Sequence, residues 1–131
     1  MRRRLMLTFP MATTALAMMP GRARAAERMA FTPEVFAAAQ KAGRAIVVDV
    51  SAPWCPTCRA QKPVIDALAA DPAMKDALFL AVDFDSQKDA LKLLRVRSQS
   101  TLIAYNGTEE RGRSIGVTDP GEIRALLLRA L

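Results

Sequence analysis

The sequence predicts an α/β fold in which a central mixed β-sheet is flanked by helices, and three observations lead there. Short β-branched apolar runs alternate with segments of helical period, capping and turn residues fall between them, and two late strands are joined by a hairpin signal that adds an antiparallel arm. No repeat, linker or low-complexity tract interrupts this order. With 131 residues, 51% hydrophobic and 24% charged, the chain can bury the core of one small domain without metal or disulfide staples.

The first 25 residues read as an export signal. Met1-Arg2-Arg3-Arg4 is a positively charged start, residues 5–19 are mostly apolar, and Ala23-Arg24-Ala25 is a small-x-small pattern. Cleavage is expected after Ala25, which leaves residues 26–131 as the folded domain. Retention as a membrane anchor is the competing reading, but the segment contains Thr8, Pro10, Thr13 and Thr14 and falls short of the roughly 20 apolar residues that cross a bilayer. Arg2-Arg3-Arg4-Leu5-Met6 also resembles a twin-arginine signal, so either a Sec or a twin-arginine route is compatible with this start. The expected location is the periplasm, an oxidising space.

Beyond the leader, Met29 to Phe31 is compatible with a short strand. Thr32-Pro33-Glu34 offers an N-cap followed by proline at the first helical position, and the helix should run to Lys41 or Ala42 with Gly43 as its stop. Ala45 to Val50 is a continuous β-branched run and reads as a buried strand. A second helix is expected from Cys55 to about Ala70, with Val64, Ile65 and Leu68 on one face and a kink at Pro63. After Asp71-Pro72, a helical turn over Met74 to Ala77 precedes a strand from Leu78 to Asp83. Ser86 to Leu94 reads as helix with Ala90, Leu91 and Leu94 inward. Thr101–Tyr105 and Arg111–Ile115 flank Asn106-Gly107 as a β-hairpin, and Asp119-Pro120-Gly121-Glu122 opens a last helix through Ala130.

Charge placement and residue absences exclude whole classes of function. The net charge of +6 comes largely from Arg2, Arg3, Arg4, Arg22 and Arg24, and from position 26 onward fourteen basic residues face thirteen acidic ones. Signs are mixed there and aromatics few, so nucleic acid is not an expected partner. The chain has no histidine, which removes Cys-His proteases, Cys/His zinc sites and any histidine general base. Chemistry must come from thiols, carboxylates or amines.

The only two cysteines stand in Trp54-Cys55-Pro56-Thr57-Cys58, between the first strong strand and its helix. Such a turn puts the first sulfur where unpaired backbone N–H groups and the helix dipole favour negative charge, so Cys55 should ionise more readily than a free thiol. The pair is therefore a candidate redox centre. A pair of this kind can also supply half of a metal or iron–sulfur site shared between two copies of the chain.

With W-C-x-x-C in that position, the chain resembles the thioredoxin superfamily over residues 30–131. Further positions agree: Asp49, six residues before Cys55, matches the family's buried acid; Pro63, five after Cys58, matches its kinking proline; Asn106-Gly107 matches its hairpin turn; and Gly116 with Gly121 matches the approach to the last helix. The resemblance implies a thioredoxin-like fold and a Cys55–Cys58 pair that cycles between dithiol and disulfide. Within the superfamily, Phe36 to Leu102 is similar to exported thiol-disulfide interchange proteins, especially the C-terminal domain of the transmembrane reductant conductor. Trp-Cys-Pro-Thr-Cys-Arg also resembles the reductants of cytochrome c maturation. The implied partners are protein disulfides or dithiols and a membrane-bound thiol electron donor; the implied state is a monomer, with no cofactor.

The sequence departs from the family at two places. Where a cis-proline usually stands, Val96-Arg97-Ser98-Gln99-Ser100-Thr101 carries Ser100. A cis bond before a residue other than proline costs about 2.5–4 kcal/mol, so either the loop holds that strain or Gln99-Ser100 is trans and the loop is reshaped. Ser100 is either a neutral replacement, a donor to the Cys55 thiolate, or a space for a metal that a proline ring would exclude. The second departure is Ala81, where thioredoxins often carry lysine near the buried acid. Without that amine, desolvation should raise the pKa of Asp49 and suit it to accept a proton from Cys58.

The expected chemistry is thiol–disulfide exchange. Cys55 attacks a disulfide, Cys58 resolves the mixed disulfide with help from Asp49, and reduction is the expected direction. Trp54 is expected either to pack beside the motif and limit solvent or to be a plain structural aromatic. Pro56 fixes the turn, and Thr57 either hydrogen-bonds Cys55 or stands exposed. Ser100 and Thr101 complete the expected substrate groove. The competing classes are a redox-inactive binding or chaperone module and the subunit-bridging metal protein.

Overall fold

A computed structural model describes residues 25–131; the export-signal reading spans residues 1–25, of which 1–24 lie outside them. Five strands form one sheet in the order β1-β3-β2-β4-β5, with β1 (Glu27–Ala30), β2 (Ala45–Ser51) and β3 (Leu78–Asp83) parallel. The hairpin β4 (Thr101–Asn106) and β5 (Glu109–Ile115) runs antiparallel along the other side of β2. This is the mixed sheet that the element order predicts.

Alternation along the strands sorts the core onto two faces. Ile46, Val48 and Val50 point one way, with Leu80, Val82 and Ile103, beneath Phe36 of α1 (Pro33–Lys41) and Leu91 and Leu94 of α3 (Lys88–Leu94). Val47, Phe79 and Leu102 point the other way, against Ile65 and Leu68 of α2 (Pro56–Ala70) and Ile123 and Leu127 of α4 (Pro120–Leu128). Asp49 has the parity of Val47, so the same alternation turns it toward α2.

Local chemistry sets most boundaries. The Thr32 hydroxyl accepts the Val35 N–H to open α1, and the Asp119 carboxylate accepts the Glu122 N–H to open α4. Helix α2 continues through Pro63 to Ala70, with Pro63 on its exposed side. Other boundaries differ from expectation. The turn after α2 is a 3₁₀ helix at Pro72–Met74, because the Asp71 carboxylate accepts the Ala73 N–H and starts it early. Helix α3 begins at Lys88 instead of Ser86, since Asp83 Oδ1 accepts the N–H groups of Asp85 and Ser86 and holds them in a turn. Asn106 ends a strand, with its side chain donating to the Ala130 carbonyl. The two-residue loop is therefore Gly107-Thr108, with positive φ at the glycine, as a type II′ turn requires. Among the described residues no helix is long and apolar enough to cross a membrane.

Candidate active site

The site forms where β2 ends and α2 begins, facing the turn before β4. Cys55 is the N-cap of α2, and Pro56 is its first residue, where a missing N–H costs nothing. The Cys58 N–H donates to Cys55 Sγ at 3.1 Å, so the sulfur serves as the cap acceptor. Both cysteines are free thiols and buried, at 2% and 8% exposure.

Burial opposes ionisation of Cys55, but donation from the Cys58 thiol, the Ser100 hydroxyl and the Cys58 and Thr57 backbone N–H groups outweighs it. The Cys55 thiol is held below its ordinary value. Cys58 moves the other way, pushed up by burial and by its hydrogen bond with Cys55. The pair is thus polarised into a nucleophile and a thiol that keeps its proton.

Asp49 lies behind Cys58. The two line one cavity of about 520 Å³, walled by Arg28 of β1 and by Lys62 and Asp66 of α2. Burial pushes the Asp49 carboxyl up to about 6, against the pull of Arg28. Ala81 pairs with Asp49 across β3 and leaves that space open. Arg28 and Lys62 are both drawn to Asp66, at 2.9 and 2.8 Å, which keeps their charges at the cavity wall.

Across from the cysteines, every described peptide bond is trans, and Ser100 takes φ +61°. The loop is therefore reshaped, which resolves the choice posed by its sequence. The Ser100 N–H donates to the Val50 carbonyl at 2.8 Å, and its own carbonyl accepts from the Gly116 N–H at 3.0 Å and Gln61 Nε2 at 3.3 Å. Its hydroxyl oxygen lies 3.3 Å from Cys55 Sγ and 3.4 Å from Cys58 Sγ.

Other expected groove residues do less at the sulfurs. Thr101 is buried and its hydroxyl donates to the Ser98 carbonyl at 2.7 Å, because it begins β4 between Val50 and Ile115; it is not a groove donor. Thr57 acts through its backbone N–H. Trp54 is 53% exposed and donates Nε1–H to the Asp85 carboxylate at 2.9 Å, so it is no core aromatic. Pro56 is exposed beside it.

Two contributors were not foreseen. Gln61 is fully buried, and its Nε2 joins the carbonyls of Ser100 and Val117, tying α2 to both loops. A polar residue on the stripe Cys58, Gln61, Ile65, Leu68 was the available signal. Asp85, which anchors Trp54, had no comparable signal in the sequence. No group of three or more His, Cys, Asp or Glu residues that could hold a metal occurs among the described residues.

Comparison with known proteins agrees with this geometry. The crystal structure of Trxlp from Edwardsiella tarda EIB202 superposes with a TM-score of 0.75 at 40% identity, covering 77% of this chain and 98% of that one. The Fasciola hepatica thioredoxin structure gives 0.66 at 26% identity, covering 80% and 99%. In sequence, the chain is 33% identical over 92 residues to Brassica campestris thioredoxin H-type, covering 70% of this chain and 72% of that protein. It is 32% identical to Oryza sativa thioredoxin H2-1, spanning 63% of this chain and 59% of that longer protein. The thioredoxin family model matches residues 27–129. With the matched region containing the whole sheet and the Cys55-Pro56-Thr57-Cys58 turn, the chain belongs to the thioredoxin family of thiol-disulfide oxidoreductases.

Proposed function

We propose that the protein is an exported reductase of protein disulfides, working in the periplasm as a monomer and recharged by a membrane-bound thiol donor. The observation that carries the reading is the polarised pair: Cys55 receives several donors while Cys58 retains its proton beside a cavity shared with Asp49. Export rests on the arginine-rich apolar leader and its small-x-small site. Reduction is favoured because no histidine stands between the cysteines to stabilise the thiolate further, and because the motif resembles exported reductants.

In this reading Cys55 attacks, Cys58 resolves, and Asp49 takes the Cys58 proton across the cavity, which is roomy enough for a water to carry it. Trp54 and Pro56 form the exposed rim that meets the substrate. Insulin reduction with a supplied electron donor tests the activity. Cys55→Ser is expected to abolish it and Cys58→Ser to trap mixed disulfides. Equal activity of the two variants would refute the assigned roles. A reduction potential near that of oxidising periplasmic enzymes would reverse the direction, and a mature protein still beginning at Met1 would refute export by cleavage.

A further inference from the structure

We propose that the Ser100 hydroxyl is a two-position donor, turning its single proton first to the Cys55 sulfur and then to the Cys58 sulfur as each in turn carries the negative charge. This rests on the thiol-disulfide reading above. The oxygen is nearly equidistant from both sulfurs, at 3.3 and 3.4 Å. A hydroxyl has one hydrogen and a free rotor, so it donates to only one sulfur at a time and can turn from one to the other.

The surroundings hold the Ser100 backbone, and its hydroxyl oxygen stands between the two sulfurs. Both backbone polar groups of Ser100 are engaged, by Val50, Gly116 and Gln61, and the residue is 4% exposed. Little water competes there, which strengthens each hydrogen bond. The backbone does not itself call for serine. Glycine adopts φ +61° more readily, and proline is excluded because its φ is held near −65° and it has no N–H for Val50. The hydroxyl is what serine adds.

The sequence of steps balances as follows. Cys55 thiolate, receiving the Ser100 O–H, attacks one sulfur of a substrate disulfide; that S–S bond breaks, a mixed disulfide forms, and the departing thiolate takes a proton from solvent. Cys55 is now uncharged and a weak acceptor. Cys58 gives its proton to Asp49, and the Ser100 O–H rotates to the new Cys58 thiolate. Cys58 then attacks Cys55 Sγ, forming the internal disulfide and expelling the second substrate thiolate, which takes a proton from solvent as Asp49 releases its own, so the substrate gains the two electrons that the cysteine pair loses. Ser100 ends each cycle with its proton, which makes it a positioning residue for charge and not an acid.

The test titrates each cysteine alone. In a Cys58→Ala background, Ser100→Gly is expected to raise the Cys55 pKa, read from thiolate absorbance near 240 nm, by about one unit, roughly tenfold less thiolate at a pH below it. In a Cys55→Ala background, Ser100→Gly is expected to raise the Cys58 pKa by a similar amount. Glycine keeps the left-handed loop, and Ser100→Ala serves as a second variant that should give the same shifts. In single-turnover reactions of Ser100→Gly, with both cysteines present, the mixed disulfide should form and resolve about tenfold more slowly. An unmoved Cys58 would overturn the two-position role, as would an unmoved Cys55. Both shifts in a protein that fails to reduce insulin would support the donor and count against the reductase reading alone.

Discussion

Replacing Asp49 with asparagine should make the protein more stable and less active, with a pH dependence of definite sign. The Asp49 carboxyl rises from 3.8 to about 6, chiefly through burial. Below 3.8 folded and unfolded chains both hold the proton, and the aspartate carries no penalty. Between 3.8 and 6 the folded state keeps a proton that the unfolded state has released, so stability falls as pH rises; above 6 the full penalty applies. A shift of that size corresponds to about 3 kcal/mol. Asparagine has the same shape and no charge. The variant should match the parent within about 0.5 kcal/mol at pH 4 and exceed it by about 3 kcal/mol at pH 8, which for a domain of about 100 residues is roughly 14 °C in Tm. Urea unfolding under reductant at pH 4 to 8 reads this directly, with the slope m unchanged and the midpoint moving. A stability difference that stays constant across that range would refute the reasoning, as would a parent more stable than the variant at pH 8. The same variant cannot accept the Cys58 proton, so mixed-disulfide resolution should slow while stability rises.

Gln61→Leu removes the buried donors to Ser100 and Val117, and chemical denaturation should show a loss of about 1–2 kcal/mol together with a raised Cys55 pKa as Ser100 loses its tether. Gly107→Ala and Gly43→Ala both force alanine into positive φ, but a Cβ at Gly107 would lie 3.3 Å from Gly43 Cα, whereas the space at Gly43 is open. Thermal melts should therefore show about 1 kcal/mol lost at Gly43 and more at Gly107; equal losses would contradict the contact. Trp54→Phe breaks the bond to Asp85 at an exposed site, so it should cost less than about 1 kcal/mol in denaturation yet lower the rate on protein disulfides.

The parts of the fold that were readable in the sequence are those governed by local rules. The β-branched runs fix β2 and β3, and the Thr32 and Asp119 caps fix the starts of α1 and α4. Where a side chain competes for a backbone N–H, as Asp71 and Asp83 do, periodicity misplaces the element by two residues. The conformation of Ser100 was not readable, because it depends on the Val50 carbonyl of a strand fifty residues earlier. A one-residue pattern holds no record of that partner. Asp49 was readable as a buried acid through the family resemblance, and its raised pKa follows from burial, with no amine at Ala81 to offset it. Trp54 could not be placed, because its partner Asp85 lies on the loop after β3 and no spacing rule links them.

The strand β1 has only four residues and pairs on one side alone, with β3. Edge elements of this kind open more often than the centre of a sheet, and amide exchange should be fastest there among the strands. Arg28 travels with β1, and with it goes part of the wall of the Asp49 cavity. Each opening admits solvent to the carboxyl and lets its proton affinity relax toward that of an ordinary aspartate, since burial is the largest cause of its shift. The proton affinity at the centre of the site is thus a time average, set partly by how often the margin of the sheet frays.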